Sequence, residues 1–191
     1  MKKMTVFASA IILAVANSFA QVTWSLDKTH TKLGFTTTHL MMSETTGDFK
    51  KYDVKITSKD ETFEGAIFEA TIDVNSINTD VADRDNHLKG PDFFDAAKYP
   101  NITFKSKTFK KVDGKKFKLE GDLTMHGVTK PVVLDVTFNG VNDHPMMKGK
   151  RFAGFKFSTT LKRTDFGVGT YPAAVVGEDI TIAGSMEFFR D

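Results

Sequence analysis

The chain contains no cysteine, a single tryptophan, three tyrosines and five histidines. Without cysteine there is no disulfide framework and no thiolate chemistry, so stability must come from the apolar core. Long hydrophobic runs are also lacking. The longest, residues 6–16, is much shorter than the ~20 apolar residues a spanning helix needs. It follows Lys2 and Lys3 and precedes Ser18-Phe19-Ala20, the layout of a signal peptide cleaved before Gln21. The expected division is therefore a signal peptide at 1–20 and one domain at 21–191. No cysteine near the cleavage site could carry a lipoprotein anchor. An excess of one charge is missing as well. Of 26 basic residues two lie in the signal, leaving 26 − 2 = 24 against 24 acidic. A neutral domain argues against nucleic acid or an anionic membrane as an electrostatic partner, and no stable membrane insertion is expected.

What is present is alternation. Val22, Trp24 and Leu26 alternate with Thr23 and Ser25, and Leu33, Phe35, Thr37 and His39 with polar or small neighbours. Ala66, Phe68, Ala70, Ile72 and Val74 form the clearest case. A period of two marks a strand with one face buried. The pattern continues through Ile102 and Phe104, through Phe117 to Met125, and through Val132 to Phe138. It returns at Phe155, Phe157, Thr159 and Leu161, and finally at Ile180, Ile182, Gly184, Met186 and Phe188. Asp113-Gly114 reads as a hairpin turn. About eight strands result, an all-β domain. The segment 80–99 breaks the rhythm and reads as a helix of two or three turns, then a short helical turn after Gly90-Pro91. So many one-sided antiparallel strands fit either a closed barrel or a two-sheet sandwich, and periodicity leaves both open. A lining of Phe, Leu, Ile and Met suits a hydrocarbon ligand and equally a dry, filled core.

Candidate chemistry is sparse. His30, His39, His87, His126 and His144 show no metal-ligand spacing, so neither metal nor cofactor is expected. Asp27 and His30 read as a capped turn. No Gly-x-Ser-x-Gly elbow, no nucleophile beside His126 and no phosphate-binding glycine loop occurs. The pairs Asp92/Asp95 and Glu178/Asp179 fall in expected loops. Arg84 on the helical stretch, and Arg163 with Asp165 before Phe166-Gly167-Val168-Gly169, allow two readings: a salt bridge that pins a loop, or a charged rim for a lipid head group.

The blocks Trp24-Ser-Leu-Asp27-Lys-Thr-His30, Leu33-Gly-Phe35, His39 and Gly47-Asp-Phe49 open a longer series. Arg84-Asp-Asn-His87-Leu88-Lys-Gly-Pro-Asp92-Phe93-Phe94-Asp95, Lys98-Tyr99-Pro100 and Ile102-Thr103-Phe104-Lys105-Ser106 continue it. Gly121-Asp-Leu-Thr-Met-His126-Gly127-Val-Thr-Lys130-Pro131-Val, Arg163-Thr-Asp165-Phe166-Gly167 and Val176-Gly177 complete it. In this order they resemble the YceI family of polyisoprenoid-binding periplasmic proteins. The resemblance implies a lipocalin-like, extended antiparallel barrel with a short helical insertion, an elongated apolar tunnel and no catalysis. The loop Asp143-His144-Pro145-Met146-Met147 carries no family pattern. The inward residues expected to line such a tunnel are Leu33, Phe35, Phe68, Ile72, Phe104, Leu123, Met125, Phe155, Phe157, Ile180 and Ile182. His39, Arg84, Arg163 and Asp165 are the candidates for its mouth. The implied partner is a polyisoprenoid, isoprenoid quinone or similar amphiphile, held by a periplasmic monomer or homodimer. The rivals are a structural or stress-response protein with a filled core, and an isoprenoid-modifying enzyme. The enzyme would need a titratable residue inside the barrel, for which the strand face holding His39 is the candidate.

Overall fold

The computed structural model describes residues 21–191, and the expected signal peptide lies outside them. Eleven strands are formed: β1 (Val22–Leu26), β2 (Lys32–His39), β3 (Ser43–Phe49), β4 (Tyr52–Ser58), β5 (Ile67–Asp73), β6 (Ile77–Asn78), β7 (Asn101–Asp113), β8 (Lys116–Met125), β9 (Val128–Asp143), β10 (Arg151–Lys162) and β11 (Asp179–Arg190). Three pairs of them are halves of single barrel strands. β1 and β2 both pair with β11, as Leu26↔Phe188 and Leu33↔Gly184, on either side of the turn at 27–31. β3 pairs with β2 and β4 with β1, broken at Lys50-Lys51. β5 pairs with β4 and β6 with β3, broken by a 3₁₀ turn, Val74–Ser76. Counted this way the wall has eight long strands, each beside its sequence neighbour, and β11 pairs back onto β1 and β2. The sandwich is thereby excluded. Closure removes every long edge, which a sheet of one-sided strands otherwise exposes.

The irregular segment forms one α-helix, α1 (Ala82–Lys89), followed by turns to Pro100. Its amides at Phe93, Phe94, Asp95 and Ala96 bond back to the carbonyls of Leu88, Lys89 and Gly90. The segment thereby folds over one end of the barrel, here called the upper end. The β8–β9 turn at His126-Gly127 lies at the same end, with positive φ at both residues. Among the described residues no helix is long and apolar enough to cross a membrane.

The lower end is shut by aromatic rings. Phe63, in the β4–β5 loop, adopts a left-handed backbone (φ 60°) yet is fully buried. Its ring lies 4.9 Å from Trp24 and 5.1 Å from both Phe138 and Phe155. Phe109 stacks on Phe117 at 4.6 Å and meets Phe68 at 4.9 Å. Left-handed backbone costs a β-carbon residue roughly 1–2 kcal/mol, which burial of a whole phenyl ring outweighs at about 1.5–3 kcal/mol. Trp24 satisfies its indole N–H on the Ser58 hydroxyl at 3.0 Å, as a buried Trp must.

An apolar cavity in the upper barrel

Above this plug the barrel is hollow. The cavity has a volume of about 210 Å³, and its wall exposes apolar atoms only. Roughly 10–15 Å³ of such space suffices for one water, but a site without polar partners holds water poorly. The cavity is therefore suited to hydrocarbon. Phe68, Phe155 and Phe188 form its floor. Leu88, Phe93 and Phe94, contributed by α1 and the turns after it, stand over it with Val168 and Val176 but leave a mouth open at this end. All eleven residues expected to face a tunnel lie on this wall.

Three of the wall phenylalanines are seated on glycines. A β-carbon at Gly47 would stand 2.4 Å from the Phe35 ring, at Gly121 2.5 Å from Phe104, and at Gly184 2.4 Å from Phe157. Phe35↔Gly47 and Phe157↔Gly184 are directly opposed across neighbouring strands. Each ring occupies the room a neighbouring side chain would take, so it lies against the wall instead of filling the lumen. Glycine in a strand interior otherwise weakens it; here it leaves space in the barrel.

Arg163 is the one ionisable residue on the wall among the described residues, and it is 3 % exposed. Its guanidinium donates from Nε to the Gly177 carbonyl, from Nη1 to Val168 and Gly169, and from Nη2 to Tyr171 and Val176. These five bonds use every N–H the group has. Burial pushes its pKa down and the charge of Glu178 pulls it up. The expected ion pair with Asp165 is not formed. Asp165 is exposed and approaches Lys130 at 3.7 Å. Arg163 is instead the hub that shapes residues 167–177, and no donor is left for a head group. Among the other mouth candidates, Arg84 is exposed and donates to the Thr79 hydroxyl and carbonyl at 2.7 Å, off the cavity wall. His39 is exposed too, bridged to Val176. It does not face the lumen, because β2 runs beyond the mouth and only Leu33, Phe35 and Thr37 of its face reach the cavity.

Asp27 accepts hydrogen bonds from the Thr29 amide (2.8 Å), the Thr29 hydroxyl (2.6 Å) and His30 Nδ1 (2.8 Å). Burial alone would raise its pKa, but these bonds bring it to about 2. Glu187 stands nearby, so that ligand atoms of Asp27, His30 and Glu187 lie within 4.8 Å of one another. The Asp27 oxygens are already engaged by the turn that separates β1 from β2.

Several wall residues have no alternation to announce them. Leu88, Phe93 and Phe94 come from the irregular segment, and Val168 and Val176 from the loop that Arg163 gathers. The paired phenylalanines at 93–94 inside a polar stretch were the available signal.

A closed, up-and-down eight-stranded barrel with a hollow apolar end is the architecture of a lipocalin-like protein. The chain belongs to the YceI family: the model of the YceI-like domain matches residues 24–188. A UPF0312 protein of Staphylococcus aureus (strain N315) is 35% identical over 170 residues, covering 86% of this chain and 96% of that one. The Campylobacter jejuni YceI protein is 36% identical with a TM-score of 0.74, over 81% of this chain and 90% of that one. BcnA of Burkholderia cenocepacia is 25% identical at a TM-score of 0.76, over 85% and 98%.

Proposed function

We propose that the protein is a non-catalytic carrier that holds the chain of a long apolar lipid in the upper barrel. A polyisoprenoid, an isoprenoid quinone or a similar amphiphile fits the reading, with the periplasm as its place of work after loss of residues 1–20. The carrying observation is a wall that exposes apolar atoms only, around space left open by glycine-seated phenyl rings. Each methylene transferred there contributes roughly 0.8 kcal/mol, so a long tail binds without polar contacts. Among the described residues the wall offers only the hydroxyls of Thr37 and Thr159 and the saturated guanidinium of Arg163, with no carboxylate, imidazole, amine or thiol beside them to act as general base.

Native mass spectrometry with organic extraction, on mature protein purified without detergent, tests this reading. A stoichiometric apolar adduct is the expected result and gives the ligand class. A clean apo mass that persists after incubation with polyprenols and quinones overturns it and favours a structural role.

A further inference from the structure

The tip of the β2–β3 hairpin is built against local preference. Leu40 (φ 52°) and Met41 (φ 57°) are both left-handed, and the Met42 amide bonds back to the His39 carbonyl at 3.0 Å. Two consecutive positive φ angles are the mark of a type I′ turn, whose central positions favour Asn-Gly and penalise side chains such as Leu and Met. The β8–β9 turn meets the same demand with His126-Gly127. Nothing in the fold repays Leu40, Met41 and Met42: they are 51%, 75% and 88% exposed. Strain combined with exposed apolar side chains has its usual explanation in function.

The surroundings point to the partner. The Leu40 amide bonds to the Val175 carbonyl and the Gly177 amide to Thr38, which joins the tip to the loop carrying Val176 of the cavity wall. Pro172, Ala173 and Ala174 of that loop are exposed as well. Residues 33–43 and 166–177 contain no Asp, Glu, Lys or Arg, although a quarter of the chain (26%) is charged, so the tip and the loop beside it carry no fixed charge; charges begin only at Lys32, Glu44, Asp165 and Glu178 and on α1 across the same end. The exposed Met146 and Met147 at the plugged end differ: Asp143, Lys148, Lys150 and Arg151 surround them in sequence.

We propose that the β2–β3 tip, with the adjoining 172–175 loop, docks on a lipid bilayer by inserting Leu40, Met41 and Met42, and so sets the cavity mouth against the membrane from which the apolar chain is drawn. This rests on the carrier reading. Docking is driven by apolar insertion, so it changes little with salt, unlike binding by surface charge.

The test compares the mature protein with the triple variant Leu40→Asn, Met41→Gly, Met42→Ser. Asn-Gly suits the turn, so thermal stability holds or rises in the variant. The readouts are flotation with phosphatidylethanolamine vesicles holding a minor share of phosphatidylglycerol, transfer of solanesol from those vesicles, and solanesol uptake from detergent micelles. Expected are flotation of the wild type at low and high salt, loss of flotation in the variant, transfer slowed at least about tenfold, and unchanged micellar uptake. Equal flotation and transfer by both proteins overturns docking, as does a variant that melts several degrees lower and loses micellar uptake too. Failure of the wild type to take up solanesol from either source sinks the carrier reading instead, and flotation still decides docking.

Discussion

Phe155 and Phe157 are two residues apart on β10, and both point into the barrel. Phe155 is 3% exposed, packed at 5.0–5.8 Å from Phe63, Phe68, Phe138 and Phe188. Phe157 is only partly buried, its ring laid on Gly184 with the cavity on its other side. One turn of the pleat thus separates a filled core from an open one. The same residue type does two jobs, and the neighbour decides which: another aromatic below, a glycine above. The lower half supplies stability and leaves the upper half free of that duty.

The contrast is sharpest in truncation. Phe155→Ala leaves a void among packed rings and is expected to cost about 3–5 kcal/mol. Phe157→Ala enlarges a space that already exists and costs markedly less. Denaturant unfolding of both reads the difference, and equal losses would break the division into halves. A charge follows the same logic: Phe157→Asp leaves a folded barrel that no longer retains lipid, whereas Phe155→Asp and Phe68→Asp unfold it.

Arg163 holds the rim of the hollow half as the phenyl plug holds the other. Arg163→Met orphans five carbonyl bonds, and a loss of about 2–4 kcal/mol is expected, since some carbonyls find water. Arg163→Lys recovers little, because an ammonium cannot reproduce the planar fork. Full rescue by lysine, seen in the melting temperature, would reduce Arg163 to a mere charge.

Gly47→Ala is a smaller perturbation aimed at the lumen. The atoms nearest its β-carbon belong to side chains, the Phe35 ring and Thr79 Cγ2, whereas at Gly121 and Gly184 backbone carbonyls stand within 2.6 Å. The Phe35 ring must swing away from its seat into the cavity, at a cost of about 1 kcal/mol in stability. The longest lipid chain retained should shorten, as mass spectrometry of bound lipid will read. An unchanged chain length would mean that the seats do not set the calibre.

The strands were legible because barrel walls obey a period of two, and the eleven inward residues follow directly from it. Loops obey no such period. Phe63 is a lone apolar residue among Asp60, Glu61, Thr62 and Glu64, and only its tertiary position makes it a plug. The Arg163–Asp165 pair looked electrostatic by proximity, yet carbonyls carried no sequence mark and captured the guanidinium. His39 failed as a lumen residue for a simpler reason. Alternation tells which face a residue shares, not where along the strand the cavity ends.

The smallest expected effect lies at the seam, where Asp27, Thr29 and His30 form the turn between β1 and β2. Asp27 titrates at about 2, below its ordinary 3.8, so its stabilising contribution is present above 3.8 and lost as pH falls through about 2. His30 moves the other way: the hydrogen bond and charge of Asp27 raise its pKa above 6.5. Its contribution is full below 6.5 and disappears as pH rises through the raised value. The turn is therefore firmest between about 4 and 6.5. His30→Gln should flatten the neutral-to-alkaline limb of the stability profile and reduce the acid limb only in part, because both Thr29 bonds to Asp27 remain. Equal loss on both limbs would mean that His30, rather than Thr29, anchors the carboxylate. Since His30 is exposed, the alkaline change should be slight and should fade further with added salt.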